Sequence, residues 1–450
     1  TGAVDLDSQT FTIAGTANEV ETSASGQTLT VGLPSDVTIG QDLTVTRDLT
    51  VNRNIDVSSG TIKLDGNYPT GANNVALGNA AFDSVTTGDQ NVAIGASALT
   101  ATTDGRNNTA VGEEALAAST SDNNNTAVGK QSMTATDGGT LNAAFGSDTM
   151  KANTTGDNNV AVGAESLFSN TTASNNTAVG YQALYDNTTG TQNVAVGALS
   201  LANNTTANYN VAVGRATLNN NTTGAQNTAL GHVTLQTNTT GGNNTAVGMN
   251  ALNQNTTASN NTAVGYYASY SNTIGAFNTA VGVSALEANT TGSNSAVGYR
   301  ALYQNTTGTR NTAFGNSASY ALTTGTDNTG LGHAVLDAAT TGNYNTAVGG
   351  YSLSSITTAS NNTGLGYRAG YLTSTGTEIT AVGYRALDAN TTGSYNTALG
   401  SQALYSNTTA NNNTAVGYQA LTANTTGTAN VAVGYHAGVS NTTGALTAVG

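Results

Sequence analysis

The chain has 450 residues and a formal charge of −14, yet only 8% of its residues are charged; it has no Trp, no Cys, two prolines and 54 glycines. Leu, Ile, Phe and Met are scarce while small residues and Asn are in excess, which excludes conventional globular cores and leaves disorder or a repeat architecture. The acidic balance and eleven scattered Lys and Arg disfavour nucleic-acid binding, and no run of about 18 apolar residues exists to span a membrane.

In chain order, Phe11-Thr12-Ile13 and Leu29-Thr30-Val31 alternate as short strands do. Residues 42–59 then repeat every six residues, D-L-T-V-T-R, D-L-T-V-N-R, N-I-D-V-S-S, with apolar pairs Leu43/Val45, Leu49/Val51 and Ile55/Val57. Six residues cannot close a coil alone. Either three hexads make one coil, or three chains wind round each other with one strand each. The presence of only three hexads favours the intertwined trimer. The rhythm changes at N-Y-P-T-G (67–71), which divides the chain into an N-terminal β shaft or connector, 1–70, and a repeat region, 71–450. A start at Thr1 with no Met reads as a processed product or as the ordered part of something longer.

The repeat region keeps a count that disorder does not. The glycine closing each N-T-A-V-G-like pentapeptide recurs every seventeen residues from Gly78, with one sixteen-residue step to Gly298 and another to Gly450, giving 23 copies. One copy, Asn176 to Gln192, reads N-T-A-V-G-Y-Q-A-L-Y-D-N-T-T-G-T-Q. The residue before the glycine is always apolar. Two before it is Ala except at Gly330 and Gly364, and four before it is Asn except at Ile379 and Leu446. Three after it is almost always small and four after it is usually Leu, as in Ala183-Leu184.

The pentapeptide alternates as a strand should, the segment after the glycine reads as a second strand, and N-T-T-G supplies turns. The unit is therefore one coil of an all-β, parallel β-solenoid, or β-roll, of 17-residue coils. Each position lies above its equivalent in the next coil, so Ala must stay small and Asn can form a ladder. The expected ladder residues are Asn176, Ala178, Val179, Gly180 and Leu184, with Asn261, Ala263, Val264 and Gly265 four of their later equivalents. Which face points inward is open at this stage. A rod of short strands encloses little apolar area against a chain entropy of about 1–2 kcal/mol per residue. A homotrimeric fibre, three rods sharing a face, is the symmetric way to close it.

The repeated N-T-A-V-G-Y-x-A-L resembles the N-S-V-A-I-G pattern of the YadA-type head of trimeric autotransporter adhesins, over roughly residues 72–450. That resemblance implies a left-handed parallel β-roll with a trunk shared by three chains, although the repeat in that family is shorter. The run N-E-V-E-T-S (18–23), V-G-L-P-S-D-V-T-I-G (31–40) and D-L-T-V-T-R-D-L-T-V-N-R (42–53) resembles shaft segments of marine cyanophage tail-fibre proteins. It implies a virion fibre that attaches to a host surface.

No catalytic constellation recurs at fixed spacing: Glu113, Glu114, Glu165, Asp186 and Glu287 occupy variable positions, so the expectation is a non-enzyme without cofactor. His232, His333 and His436 could ring a trimer axis as metal ligands, but the same positions elsewhere hold Tyr, Arg, Met or Asn, as tolerant surface sites do. Tyr181/Tyr185, Tyr299/Tyr303 and Tyr367/Tyr371 lie at matching places in their coils and are candidates for stacking on sugar rings, or simply cover the coil surface. The expected role is a phage tail fibre in the virion, self-associating, joined to other tail proteins and carrying a tip for a host glycan or protein. Other readings are a bacterial adhesin passenger at the cell surface, a polysaccharide-degrading tailspike or a self-assembling extracellular filament.

Overall fold

The computed structural model describes four N-terminal strands and residues 73–450. The chain divides into two compact units, Thr1–Lys63 and Leu64–Gly450. In the first, β1 (Gly2–Leu6) pairs antiparallel with β2 (Gln9–Ile13), and β3 (Glu21–Ser25) with β4 (Thr28–Gly32). The alternating triplets at 11–13 and 29–31 fall on β2 and β4. The hexads at 42–59, with the intertwined shaft expected from them, and the change of rhythm at 67–71 lie outside the described residues.

The second unit contains 23 strands of three residues, from β5 (Val75–Leu77) to β27 (Thr447–Val449), one before each repeat glycine. Each pairs in parallel with the next in the chain, like with like: Thr262 opposite Thr279, Ala263 opposite Ala280, Val264 opposite Val281. There is no helix among the described residues. The fold is a parallel β-solenoid of about 22 turns, which at the usual spacing of stacked strands makes this unit about 105 Å long.

The face left open by the sequence is settled by burial. The middle residue of each strand points inward, so Ala178 and Ala263 are fully buried. Thr177 and Val179 point out. Ala183 and Leu184 join Ala178 inside, and repetition makes one continuous core along the unit.

The segment after the glycine is not the second strand expected. It is a run of turns in which alternate residues are left-handed, φ being 52° at both Gln182 and Leu184. In a strand successive side chains face opposite ways, so Ala183 and Leu184 could not both be buried. Left-handed backbone at alternate residues turns both inward, at a local cost of about 1–2 kcal/mol for each residue bearing a Cβ. Interchain-like hydrogen bonds between coils persist there: Gln182 N–H donates to Ala164 O and Leu184 N–H to Ser200 O, at 3.1 and 3.0 Å.

The repeat glycine turns the chain out of the strand. Gly265 has φ +139°, and a Cβ on it would collide with the carbonyl of Gly282 below, so only glycine fits.

Two columns of buried asparagine close the cross-section. In the first, the backbone N–H of Asn193 donates to Asn176 Oδ1 at 3.0 Å, and Asn176 Nδ2 donates to Gly190 O at 2.9 Å. In the second, Asn187 Nδ2 donates to Asn170 Oδ1 at 3.0 Å and to Gly190 O at 2.9 Å. Buried amides are costly unless paired, and stacking identical coils pairs them automatically. The Asn of N-T-T is thus a ladder residue as much as a turn residue. Its first Thr forms an outer column, Thr188 Oγ1 donating to Thr205 O at 3.0 Å.

Candidate functional site

Two surfaces of the solenoid are unlike an ordinary solvated exterior. The first is the outward face of the strands. It presents the residues three and one before each glycine, and none of these is buried in any of the 23 strands. None is charged either: the one directly before the glycine is always Val, Leu, Ile or Phe, the other Thr, Val, Ala or Ser. Ile94, Phe145, Leu230, Phe314 and Leu399 are among those exposed.

The second surface belongs to the turn segment, where the residues one, two and five after the glycine form columns from coil to coil. Tyr185 stacks on Phe168 with centroids 5.0 Å apart and 12° between planes, and Tyr181 is exposed. Tyr303 stacks on Tyr320 at 5.2 Å and 6°. Arg300 lies between Tyr299 and Tyr303, 5.1 and 5.3 Å from their ring centres. These candidates are therefore covered in part by their neighbours. The three histidines are spread along the same surface: His232 beside Arg215 at 3.4 Å, His333 edge-on to Tyr351 and His436 stacked on Tyr418 and Tyr435. No group of three His, Asp or Glu suited to a metal occurs among the described residues.

At Tyr367 and Tyr371 the columns open. The coil above carries Gly350 directly after the repeat glycine, the one copy in which both residues are glycine. A Cβ at Gly350 would meet only the Tyr367 ring, at 3.6 Å, and His333 O at 4.0 Å. Against the same Tyr367 ring lies an open notch of about 250 Å³ lined by Tyr351, Tyr367, Arg368 and Tyr371.

Its walls are fixed by their neighbours. Tyr351 stands at 89° to Tyr367 and 87° to Tyr371, so the three rings meet edge to face around the space. Tyr367 is backed by Tyr384, stacked at 5.8 Å. Arg368 lies over Tyr371 at 4.1 Å, and its Nε and Nη2 donate to the two oxygens of Asp388 at 2.9 and 3.1 Å. Asp388 is almost fully buried and also receives Arg385, whose Nη2 reaches Tyr405 Oη at 2.6 Å. The paired carboxylate holds the Arg385 guanidinium above its ordinary value. In the coil of His333, burial raises the Asp337 carboxyl above its ordinary value, against the opposing influence of that histidine.

Sequence reasoning located Tyr367 and Tyr371 and missed Tyr351, Arg368 and Gly350. The signal was G-G-Y at 349–351, a departure from the repeat rather than part of it. No protein-family model, curated protein or solved structure matches the chain.

Proposed function

We propose that the chain is the shaft of a structural and adhesive fibre in which three copies share the outward face of the strands. The supporting observation is the absence of charge at both outward positions in all 23 strands. A sheet face meant for water alternates toward charged and polar residues, whereas this one is uniform, β-branched and partly apolar. A strip one strand wide and about 105 Å long offers roughly 1,000 Å² per chain, above the about 800 Å² per partner of a standard stable interface. The facing partner is a second copy, because the strip repeats every coil and matches itself in register. Three-fold closure satisfies every copy equally.

Within that reading, the resemblance of residues 18–53 to cyanophage fibre shafts favours a bacteriophage tail fibre in the virion, attached to other tail proteins and carrying a tip for a host-surface glycan or protein. Its work is mechanical: repeat number sets length and the hydrogen-bonded ladder gives stiffness. No catalytic step is assigned to it. The test is the particle mass of residues 1–450 in solution by light scattering or native mass spectrometry, alone and with Val264→Lys and Val281→Lys. A trimer that survives mild denaturant and is dissociated by the lysines is expected. A soluble monomer would overturn the shared face, and with it the fibre.

A further inference from the structure

The notch beside Gly350 is built differently from the remainder of the turn surface. Elsewhere the aromatic columns are filled by the residue that follows the glycine: Tyr367 and Tyr384 stack on each other, as do Tyr418 and Tyr435. Only at Gly350 does that position carry no side chain, so toward that coil Tyr367 meets Tyr351 at right angles instead of a stacked ring. The rings around it are nevertheless positioned, through stacking on Tyr384 and through Arg368, which is itself held by a buried carboxylate. A preformed aromatic corner with a polar donor at its rim loses little side-chain entropy on binding.

We propose that this notch binds one neutral pyranose unit of a polysaccharide lying along the flank of the rod. A pyranose has an apolar C–H face for a tyrosine ring and equatorial hydroxyls for the Tyr hydroxyls and the rim of Arg368. A volume of about 250 Å³ is below the roughly 300–1,000 Å³ of a site for a whole small molecule. It suits a single ring of a longer chain.

The paired charges at the rim disfavour the two other ligands an aromatic corner could take. A quaternary ammonium group would meet Arg368, a cation already lying 4.1 Å from the Tyr371 ring. An acidic sugar finds the Nε and Nη2 donors of Arg368 already taken by the two oxygens of Asp388, which also receives Arg385. The chain as a whole, at −14, repels it. The proposal takes its setting from the adhesive reading above, and particle mass measured on the same sample separates failure of one from failure of the other.

Gly350→Tyr is the decisive variant, because it fills the notch with the side chain that the next two coils already carry. The intact chain and the variant would be applied to an array of neutral, uronate-containing and sulfated oligosaccharides, and the neutral binder titrated by saturation-transfer NMR. The expected result is binding to neutral pyranosides, weakened at least tenfold by Gly350→Tyr and by Tyr367→Ala, with circular dichroism and particle mass unchanged in Gly350→Tyr. Binding confined to acidic glycans, no binding to any neutral sugar, or binding indifferent to Gly350→Tyr would each overturn it.

Discussion

Two coils of the same solenoid solve the same packing problem with different residues. In the coil after Gly180 the interior holds Leu184, and the next strand is entered through Asn193; both are fully buried. In the coil after Gly366 the equivalent residues are Gly370 and Ile379. Gly370 keeps the left-handed backbone of the leucine it replaces, φ being 63°. A Cβ there would lie 2.7 Å from Leu353 Cδ2 and 3.3 Å from Ile379 Cδ1, so the isoleucine fills the room vacated by the leucine. The coil after Gly434 repeats the exchange with Gly438 and Leu446, whose Cδ2 would be 2.6 Å from such a Cβ. The only two breaks in the first asparagine column thus coincide with the only two glycines at the leucine position. What each coil preserves is interior volume, and residue identity follows from it.

The exchange has a cost in hydrogen bonds. Ile379 N–H still donates to Asn362 Oδ1 at 3.1 Å, but Ile379 has no side-chain oxygen to accept the N–H of Asn396, the bond that Asn176 Oδ1 gives Asn193 N–H in a regular coil. An unpaired buried donor costs about 1–3 kcal/mol.

The strongest way to break this comparison is to move the exchange into a regular coil. Leu184→Gly should cost about 3–5 kcal/mol, the range for emptying a buried leucine site. Adding Asn193→Ile should recover at least half of that, the remainder being the lost ladder bonds. Hydrogen exchange at the amides of this coil would read the effect locally, since long stacked arrays open region by region. Strictly additive losses would show that the two positions do not share volume.

A second substitution tests the tightness of the interior at its narrowest place. Ala263 is fully buried between Ala246 and Ala280, its equivalents in the coils on either side. Where a neighbour is larger the chain gives way: Gly330 replaces the alanine where Val335 Cγ2 would otherwise lie 2.9 Å from its Cβ. Ala263→Leu has no such relief and should cost about 1–3 kcal/mol by overpacking. Thermal melting and particle mass would both shift. Unchanged values would remove the stacked-coil account at that position.

The period, the parallel stacking and the ladder residues were legible in the sequence because stacking in register makes each column obey one rule along the chain. The inward face was not, since Thr-Ala-Val alternation is the same whichever side is buried. The turn segment was misread as a strand although Ala183-Leu184, two adjacent residues both destined for the core, break the two-residue rhythm that a strand needs. Turn backbone of alternating hand leaves no familiar composition, because it places Leu and Gln where Gly or Asn would be expected. The notch escaped for the opposite reason. It exists where one residue is missing from a column, and Gly350 looks like a lapse in the repeat until its neighbours are seen in space.

The smallest expected effect separates the two kinds of column within one N-T-T triplet. Asn204 is fully buried, with Nδ2 donating to Asn187 Oδ1 at 2.9 Å and Ala207 O at 3.1 Å. Its neighbour Thr205 donates from Oγ1 to Thr222 O at 3.1 Å, but partly in the open. Thr205→Val should therefore cost about 0.5–1 kcal/mol or less, because water can take over the freed carbonyl. Asn204→Ala should cost several times more, because nothing replaces the amide inside the coil. Denaturant midpoints of the two single variants, compared at equal m-value, would decide it. Equal losses would mean that the outer hydroxyl column holds the coils together as firmly as the buried amides. The coil after Gly366 shows that the two kinds of column are separable: it has lost an amide from the first column yet keeps Ser374 Oγ donating to Thr391 O at 3.1 Å.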